Sequence, residues 1–315
     1  MPKKSEISRD KIKNILVIRP DAIGDLVLTL PAIQALKEHF PGAKITALIR
    51  EYTRSIANSS SAIDAVIYDY DLKKYRFDLS VNFFNEFKDT FAAFSAGIPL
   101  RLGDSSRVLT AWMNNLRVFR NWNSSLHEIE QNMALLHPLG ITMPTGKPHL
   151  IPDPLALARI DKLDLDKSGR LVGLHCGSST NQPWPPENFG VVANYLVDKK
   201  YQVLLVGGEK EKSPASIIKL MCPAANDLTG TLPLADLIAL ISRLDYYIGL
   251  NTGPTHIAAA FNVPTVMINP NLKSPISRWR PWQTRHLIVS ADRKEREIKP
   301  ESVIGALANW LSAAA

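Results

Sequence analysis

The sequence predicts an α/β protein made of two doubly wound, Rossmann-like domains, the first over residues 1–155 and the second over 156–315. Three observations carry this expectation. Short apolar, β-prone runs alternate with segments of helical period along both halves, the pattern of a mostly parallel sheet with crossover helices. The alternation breaks between residues 144 and 169, in a stretch rich in Pro, Asp and Lys. Residues 244–268, LDYYIGLNTGPTHIAAAFNVPTVMI, then read as strand, tight turn, short helix, turn and strand. A chain of 315 residues with 45% hydrophobic content is long enough for two cores of this kind.

The elements follow in order. Residues 14–19, NILVIR, form a continuous apolar run of the sort buried on both faces of a parallel sheet. The loop PDAIGD leads into a helix expected over 25–39, with Pro31 inside it and Pro41-Gly42 stopping it. Strands are expected at 44–49, 65–68, 77–83 and 99–102, with helices at 53–58, 87–96 and 127–136. After the break, a strand at 171–176 restarts the alternation. Helices at 186–199, 213–221 and 234–244 and a strand at 202–206 lead to the 244–268 unit. A last helix begins at Pro300, with Val303, Ile304, Leu307, Trp310 and Leu311 on one face.

Composition narrows the functional classes. No run of about 18 apolar residues exists, so no transmembrane helix is expected, and the basic N-terminus lacks the apolar core of a secretory signal. Cys176 and Cys222 stand alone, which fits reduced thiols in a cytoplasmic protein. The formal net charge of +7 favours anionic partners, but no nucleic-acid-binding motif accompanies it. From Ser105 to Leu126 there are Arg107, Arg117 and Arg120 and no acidic residue. Leu109, Trp112, Met113 and Leu116 fall there at helical spacing, an apolar stripe beside a basic face. Such a segment suits either a core helix or an anionic membrane or phosphorylated lipid. The triplets Asp69-Tyr70-Asp71 and Asp164-Leu165-Asp166 are too common in solvated loops to argue for a metal, and none is expected. GxGxxG is absent, against a dinucleotide dehydrogenase.

Two loops carry chemistry. In the 244–268 unit, Asn251, Thr252, Gly253 and Pro254 supply turn residues before a helix whose first turn, through His256, presents unpaired N–H groups and partial positive charge to an anion. In the first half, Gly24-Asp25 ends the loop after a buried strand, where open α/β sheets expose functional groups. Asp25 suits both a helix-start carboxylate and a catalytic one.

NTGPTHIAAAFNVPTV resembles the D-[TS]-G-x-x-H-x-A-A-A-x-x-x-P signature of the lipopolysaccharide heptosyltransferases, the inverting glycosyltransferases of family 9, with Asn251 in place of the Asp. RPDAIGDLVLTLPAIQAL resembles that family's N-terminal motif, and HEIEQNMALL at 127–136 is a weaker echo of the family. The resemblance implies two domains facing across a cleft, the GT-B architecture, with an acceptor-side N-terminal domain and a C-terminal domain that binds the nucleotide sugar. It implies Asp25 as general base, with Asp21 the runner-up. It also implies a metal-independent enzyme without a cofactor, whose donor is ADP-heptose or a related sugar nucleotide. The acceptor would be an anionic glycolipid, the lipopolysaccharide core or another surface glycan, met at the cytoplasmic face of the inner membrane. The loop HCGSSTNQPWP brings Ser178 and Ser179 to the diphosphate, with Gln182 where relatives carry Lys. Gln182 and Asn251 together remove one positive and one negative charge, so the site's net charge is unchanged; Arg278 and Arg280 are candidate substitutes. Leu232, in LTGTLPLADLIALI, is the expected base contact. Arg107, Arg117 and Arg120 are candidate acceptor contacts. A catalytically silent nucleotide-binding homologue and a sugar-nucleotide epimerase of similar shape are the alternatives.

Overall fold

The computed structural model describes residues 9–122, 124–142, 146–163, 165, 169–178, 183–271, 275–291 and 297–312. The chain divides into two compact units, Met1–Ile151 and Pro152–Ala315.

Unit 1 runs β1 (Asn14–Ile18), α1 (Ile23–Val27), α2 (Leu30–His39), β2 (Lys44–Leu48), α3 (Arg54–Asn58), β3 (Ala65–Ile67), β4 (Leu79–Asn82), α4 (Phe87–Ser95), β5 (Leu100–Asp104), α5 (Val108–Ala111), β6 (Leu116–Val118) and α6 (Glu128–Leu135). Unit 2 continues with α7 (Pro154–Ile160), β7 (Arg170–His175), α8 (Pro186–Asp198), β8 (Tyr201–Leu205), α9 (Lys212–Met221), β9 (Asn226–Asp227), α10 (Leu234–Ile241), β10 (Tyr246–Leu250), α11 (Gly253–Ala260), β11 (Thr265–Asn269), α12 (Ile276–Trp279), β12 (His286–Ser290) and α13 (Pro300–Ser312). The sheets have orders β3-β2-β1-β4-β5-β6 and β12-β11-β10-β7-β8-β9. Every neighbouring pair is parallel, and the two orders are the same once renumbered. Both units are doubly wound, as the alternation predicts. The central strands β10 and β11 are buried along their whole length, which is why they read as unbroken apolar runs.

Three expectations need correction. The helix expected at 25–39 is two, because Leu28 and Thr29 separate α1 from α2. Pro31 occupies the first turn of α2, where its missing N–H costs nothing. The stripe read as one helix over 109–116 is also broken. Helix α5 ends at Ala111, Met113 turns into the core, and Leu116 lies in the edge strand β6. The break at 144–169 contains a helix, α7, started by Asp153, whose carboxylate accepts from the Leu155 and Ala156 N–H groups. Arg159 of α7 grips Asp236 of α10 in a two-point ion pair (2.6 and 2.9 Å), so this segment belongs to unit 2. The edge strands β6, β9 and β12 were also not anticipated. They are short or half-exposed and lack the continuous burial that makes a strand legible.

Among the described residues no helix is long and apolar enough to cross a membrane. Cys176 and Cys222 are buried free thiols.

Candidate active site

In unit 1 the strand order reverses between β1 and β4, the point where open α/β sheets take ligands at their carboxyl ends. Arg19, 3% exposed, follows β1 and ties three strand ends together. Its backbone N–H donates to Leu48 O at the end of β2 (3.0 Å) and its guanidinium to Phe83 O just beyond β4 (2.7 Å). The same guanidinium pairs with Asp21 (3.0 Å), Asp25 (2.9 Å) and Glu128 (3.2 Å). Glu128 is held from the other side by Arg120 (3.3 Å).

Helix α6 positions this cluster by local chemistry. His127 caps it, its Nδ1 accepting from the Ile129 N–H (3.2 Å), while Glu130 accepts from the His127 N–H (2.7 Å). That capping box presents Glu128 at the first helical position. One turn on, Asn132 donates to Leu28 O (3.2 Å), holding the break between α1 and α2. The HEIEQN segment is therefore the clamp behind the Asp25 loop. Asp25 is 24% exposed in its side chain against 3% for Arg19 and 1% for Glu128, so among these residues it is the carboxylate best able to meet a ligand.

Three carboxylates face two guanidiniums here, one negative charge in excess, and burial pushes the Asp21 carboxyl up to about 7, with Asp25 adding to the rise and Arg19 opposing it. A carboxyl raised in the folded state contributes stability that is complete below its ordinary value near 3.8 and is lost as pH rises through about 7. Asp21→Asn keeps the neutral form at every pH. Below about pH 3.8 the melting temperatures of the two proteins should run in parallel, and the wild type should fall relative to the variant as pH climbs from about 4 to about 7. A constant difference across that range would remove the assignment.

Beside this loop the ends of β1 to β4 frame a cavity of about 480 Å³, lined among others by Pro20, Arg50, Tyr68, Tyr70, Phe84 and Lys88. Its aromatic walls carry charges of both signs, Arg50 and Lys88 with Glu51, Glu86 and Asp89, which suits a polar ligand with an apolar face.

The three candidate acceptor arginines lie in different settings. Arg117 is exposed, with Nε donating to Asn114 O (2.7 Å). Arg107 is exposed and paired with Glu86 (2.9 Å). Arg120 is 4% exposed and turned inward, onto Glu128 and Phe83 O (3.2 Å); it supports the Asp25 cluster from within rather than offering a surface contact. Of the acidic triplet at 69–71, Asp69 and Asp71 both face Lys74 (3.7 and 3.4 Å). Asp164 and Asp166 lie outside the described residues.

Unit 2 repeats the arrangement, its reversal falling between β7 and β10. His175 at the end of β7 meets Thr252 after β10, Nδ1 to Oγ1 3.3 Å. Burial pushes His175 down to about 4 despite Glu211 nearby, so it is a neutral imidazole at neutral pH. Thr252 is the residue before α11, and its side chain makes no cap hydrogen bond to the helix start. Thr252, Pro254 and His256 are buried, while Asn251 and Gly253 are half-buried. Ser178 is half-buried in the loop after β7; Ser179 and Gln182 lie outside the described residues. Leu232 is half-buried in the loop before α10. Gly230 anchors that loop with a left-handed φ of +67°, its N–H bonded to Gly207 O (2.9 Å) beyond β8.

Sequence reasoning overlooked Arg19, Glu128, His175 and Glu211. The first three sit inside the motifs it quoted, flanking the residues it chose. Glu211 follows β8 and accepts from the Gly208 N–H (2.8 Å). A Cβ on Gly177 would stand 2.7 Å from the Glu211 Oε1 and 2.6 Å from the His175 ring. Only glycine lets the loop after β7 approach so closely. Gly177→Ala should displace Glu211, the His175 ring or the loop and cost about 1–3 kcal/mol of stability. Chemical denaturation would test this; a midpoint equal to that of the wild type would refute it.

Two six-stranded sheets of the same parallel order, each with a polar cluster at its own reversal point, define an α/β protein of two doubly wound, Rossmann-like units. The model of glycosyltransferase family 9 (heptosyltransferase) matches residues 69–306. The chain belongs to that family. It is 25% identical over 287 residues to lipopolysaccharide heptosyltransferase 3 of Escherichia coli, covering 82% of this chain and 83% of that one. Among solved structures it resembles a family 9 glycosyl transferase from Veillonella parvula (TM-score 0.85, 20% identity, 96% of this chain and 97% of that one). It also resembles E. coli ADP-heptose lps heptosyltransferase II (TM-score 0.83, 21% identity, 96% and 100%). The family match begins beyond Asp25 and includes Thr252 to His256.

Proposed function

We propose that this glycosyltransferase moves a heptose or closely related sugar from a nucleotide-diphosphate donor to a hydroxyl of an anionic glycolipid, with inversion at the anomeric carbon. Unit 2 is the donor side and unit 1 the acceptor side. ADP-heptose and the lipopolysaccharide core are the first substrates to try, since a structural neighbour is an ADP-heptose lps heptosyltransferase. The observation that carries the reading is the Asp25 carboxylate, partly exposed and held by the buried Arg19 guanidinium at a strand-order reversal.

In this scheme Asp25 accepts the proton of the acceptor hydroxyl as its oxygen bonds to the anomeric carbon. The bond to the diphosphate breaks on the opposite face, through an oxocarbenium-like state as in inverting glycosidases. Below about pH 7, where Asp21 is protonated, Asp25 and Glu128 balance Arg19 and Arg120, leaving Asp25 as the partly exposed anion of a neutral cluster. The departing diphosphate takes its negative charge to the start of α11. Arg278 and Arg280, stacked on Trp279 and Trp282, are the candidate cations for that role. The cavity beside Pro20 supplies Arg50 and Lys88 for acceptor phosphates or carboxylates.

The test is transfer from ADP-heptose to a deacylated, soluble acceptor in the presence of EDTA, with the anomeric configuration of the product read by NMR. The expected product has the configuration opposite to the donor's. Retention, or loss of turnover on adding EDTA, would overturn the mechanism. Nucleotide binding with neither transfer nor slow donor hydrolysis would point to the silent homologue. Epimerised donor in the absence of acceptor would point to the epimerase.

A further inference from the structure

An apolar surface on unit 1 is not used by this scheme. On α4, Phe87 and Phe91 are one turn apart, both 46% exposed, with stacked rings 5.7 Å apart. On α5, Val108 is 87% exposed, Leu109 66% and Trp112, just past its end, 57%. The two helices lie side by side. Arg107 binds Glu86 at one end (2.9 Å), Thr110 binds Asn85 (2.9 Å), and Trp112 packs edge-on against Phe94 at the other (5.0 Å). The five side chains therefore form one apolar ridge on the surface, the kind of patch that marks an interaction site.

The charges around the ridge decide what covers it. Residues 105–126 contain no acid. At its edge Glu86 is already answered by Arg107, and Asp89 of α4 is buried and accepts from the Tyr70 hydroxyl (2.7 Å). Lys88 of α4 and Arg117 of the edge strand β6, which follows α5, are exposed cations. A second copy of the chain, docked by two-fold symmetry, would bring like charges together. An anionic lipid surface answers both features at once, taking the aliphatic and aromatic tips among its acyl chains and the cations among its headgroups.

We propose that the α4–α5 ridge docks this protein on an anionic bilayer. Its position fits the cavity described above, because Glu86, Lys88 and Asp89 of the α4 region also line that cavity. A glycolipid rooted in the same bilayer would present its sugars beside the ridge, toward Arg50 and Lys88. The docking rests on the ridge itself and not on the catalytic reading, so the two fail separately.

The test is flotation of the full chain with vesicles of phosphatidylcholine alone or with about one-third phosphatidylglycerol, at low and raised salt. Wild type should float with the anionic vesicles, only weakly with neutral ones, and less as salt rises. The double variant Val108→Asp/Leu109→Asp, altered at two exposed side chains, should lose about tenfold or more of that partition while turning over the soluble acceptor at the wild-type rate. Equal flotation of variant and wild type would overturn the proposal. So would binding indifferent to lipid charge, or a concentration-dependent dimer abolished by the same variant, which would make the ridge a self-association surface.

Discussion

Asp25→Asn should lower kcat by about 10²–10⁴, the usual contribution of one positioned base, while leaving the affinity for the nucleotide within about twofold. The asymmetry follows from location. Asp25 lies in unit 1, and the residues proposed for the diphosphate, Ser178, Thr252 and His256, lie in unit 2, so only transition-state stabilisation is removed. The amide keeps the shape of the carboxylate and can still accept from Arg19, which restricts the change to charge and basicity. Steady-state transfer to a soluble acceptor, paired with calorimetric ADP binding, separates the two terms. Near wild-type turnover would end the assignment, and Asp21→Asn would then be the next variant to measure. A parallel loss of ADP affinity would show that the substitution disturbed more than the base.

The second large effect is on stability. Glu128 is 1% exposed and shared by Arg19 and Arg120, themselves 3–4% exposed. Glu128→Ala would leave two buried guanidiniums short of their shared counter-ion, a change that typically costs about 3–5 kcal/mol. Glu128→Gln, which retains a hydrogen-bond acceptor, should cost less. Chemical denaturation should place the variants in the order wild type, Gln, Ala. Because Arg19 would turn further toward Asp21 and Asp25, the alanine variant should also lose activity under conditions where it is still folded. A midpoint for Glu128→Ala indistinguishable from wild type would mean that the cluster is solvated rather than buried.

These two residues show how differently parts of the site could be read from the chain. Asp25 could be chosen as a candidate because its Gly-Asp pair follows a buried apolar run and because the surrounding motif resembles that of a family. Glu128 was not. It stands 103 positions after Asp25 in a segment that reads as an ordinary amphipathic helix, and its partner Arg19 reads as the last residue of a strand. Glu211 was hidden in the same way, since its role depends on how closely Gly177 approaches it across the sheet. The misreading of 109–116 has a related cause. Helical spacing of apolar residues normally marks a buried face, but here Leu109 and Trp112 are exposed and the period is interrupted by a turn that no Gly or Pro announces.

By itself the sequence determined the class of fold and the family. Runs buried on both faces of a sheet must be continuously apolar, turns need their particular residues, and both leave local marks that survive without coordinates. Only the tertiary structure decided which charges answer one another. Ion pairing depends on distance and burial between residues far apart in the chain, so it took the folded units to turn Arg120 inward, to join Arg19 with Glu128, and to leave the α4–α5 ridge facing solvent.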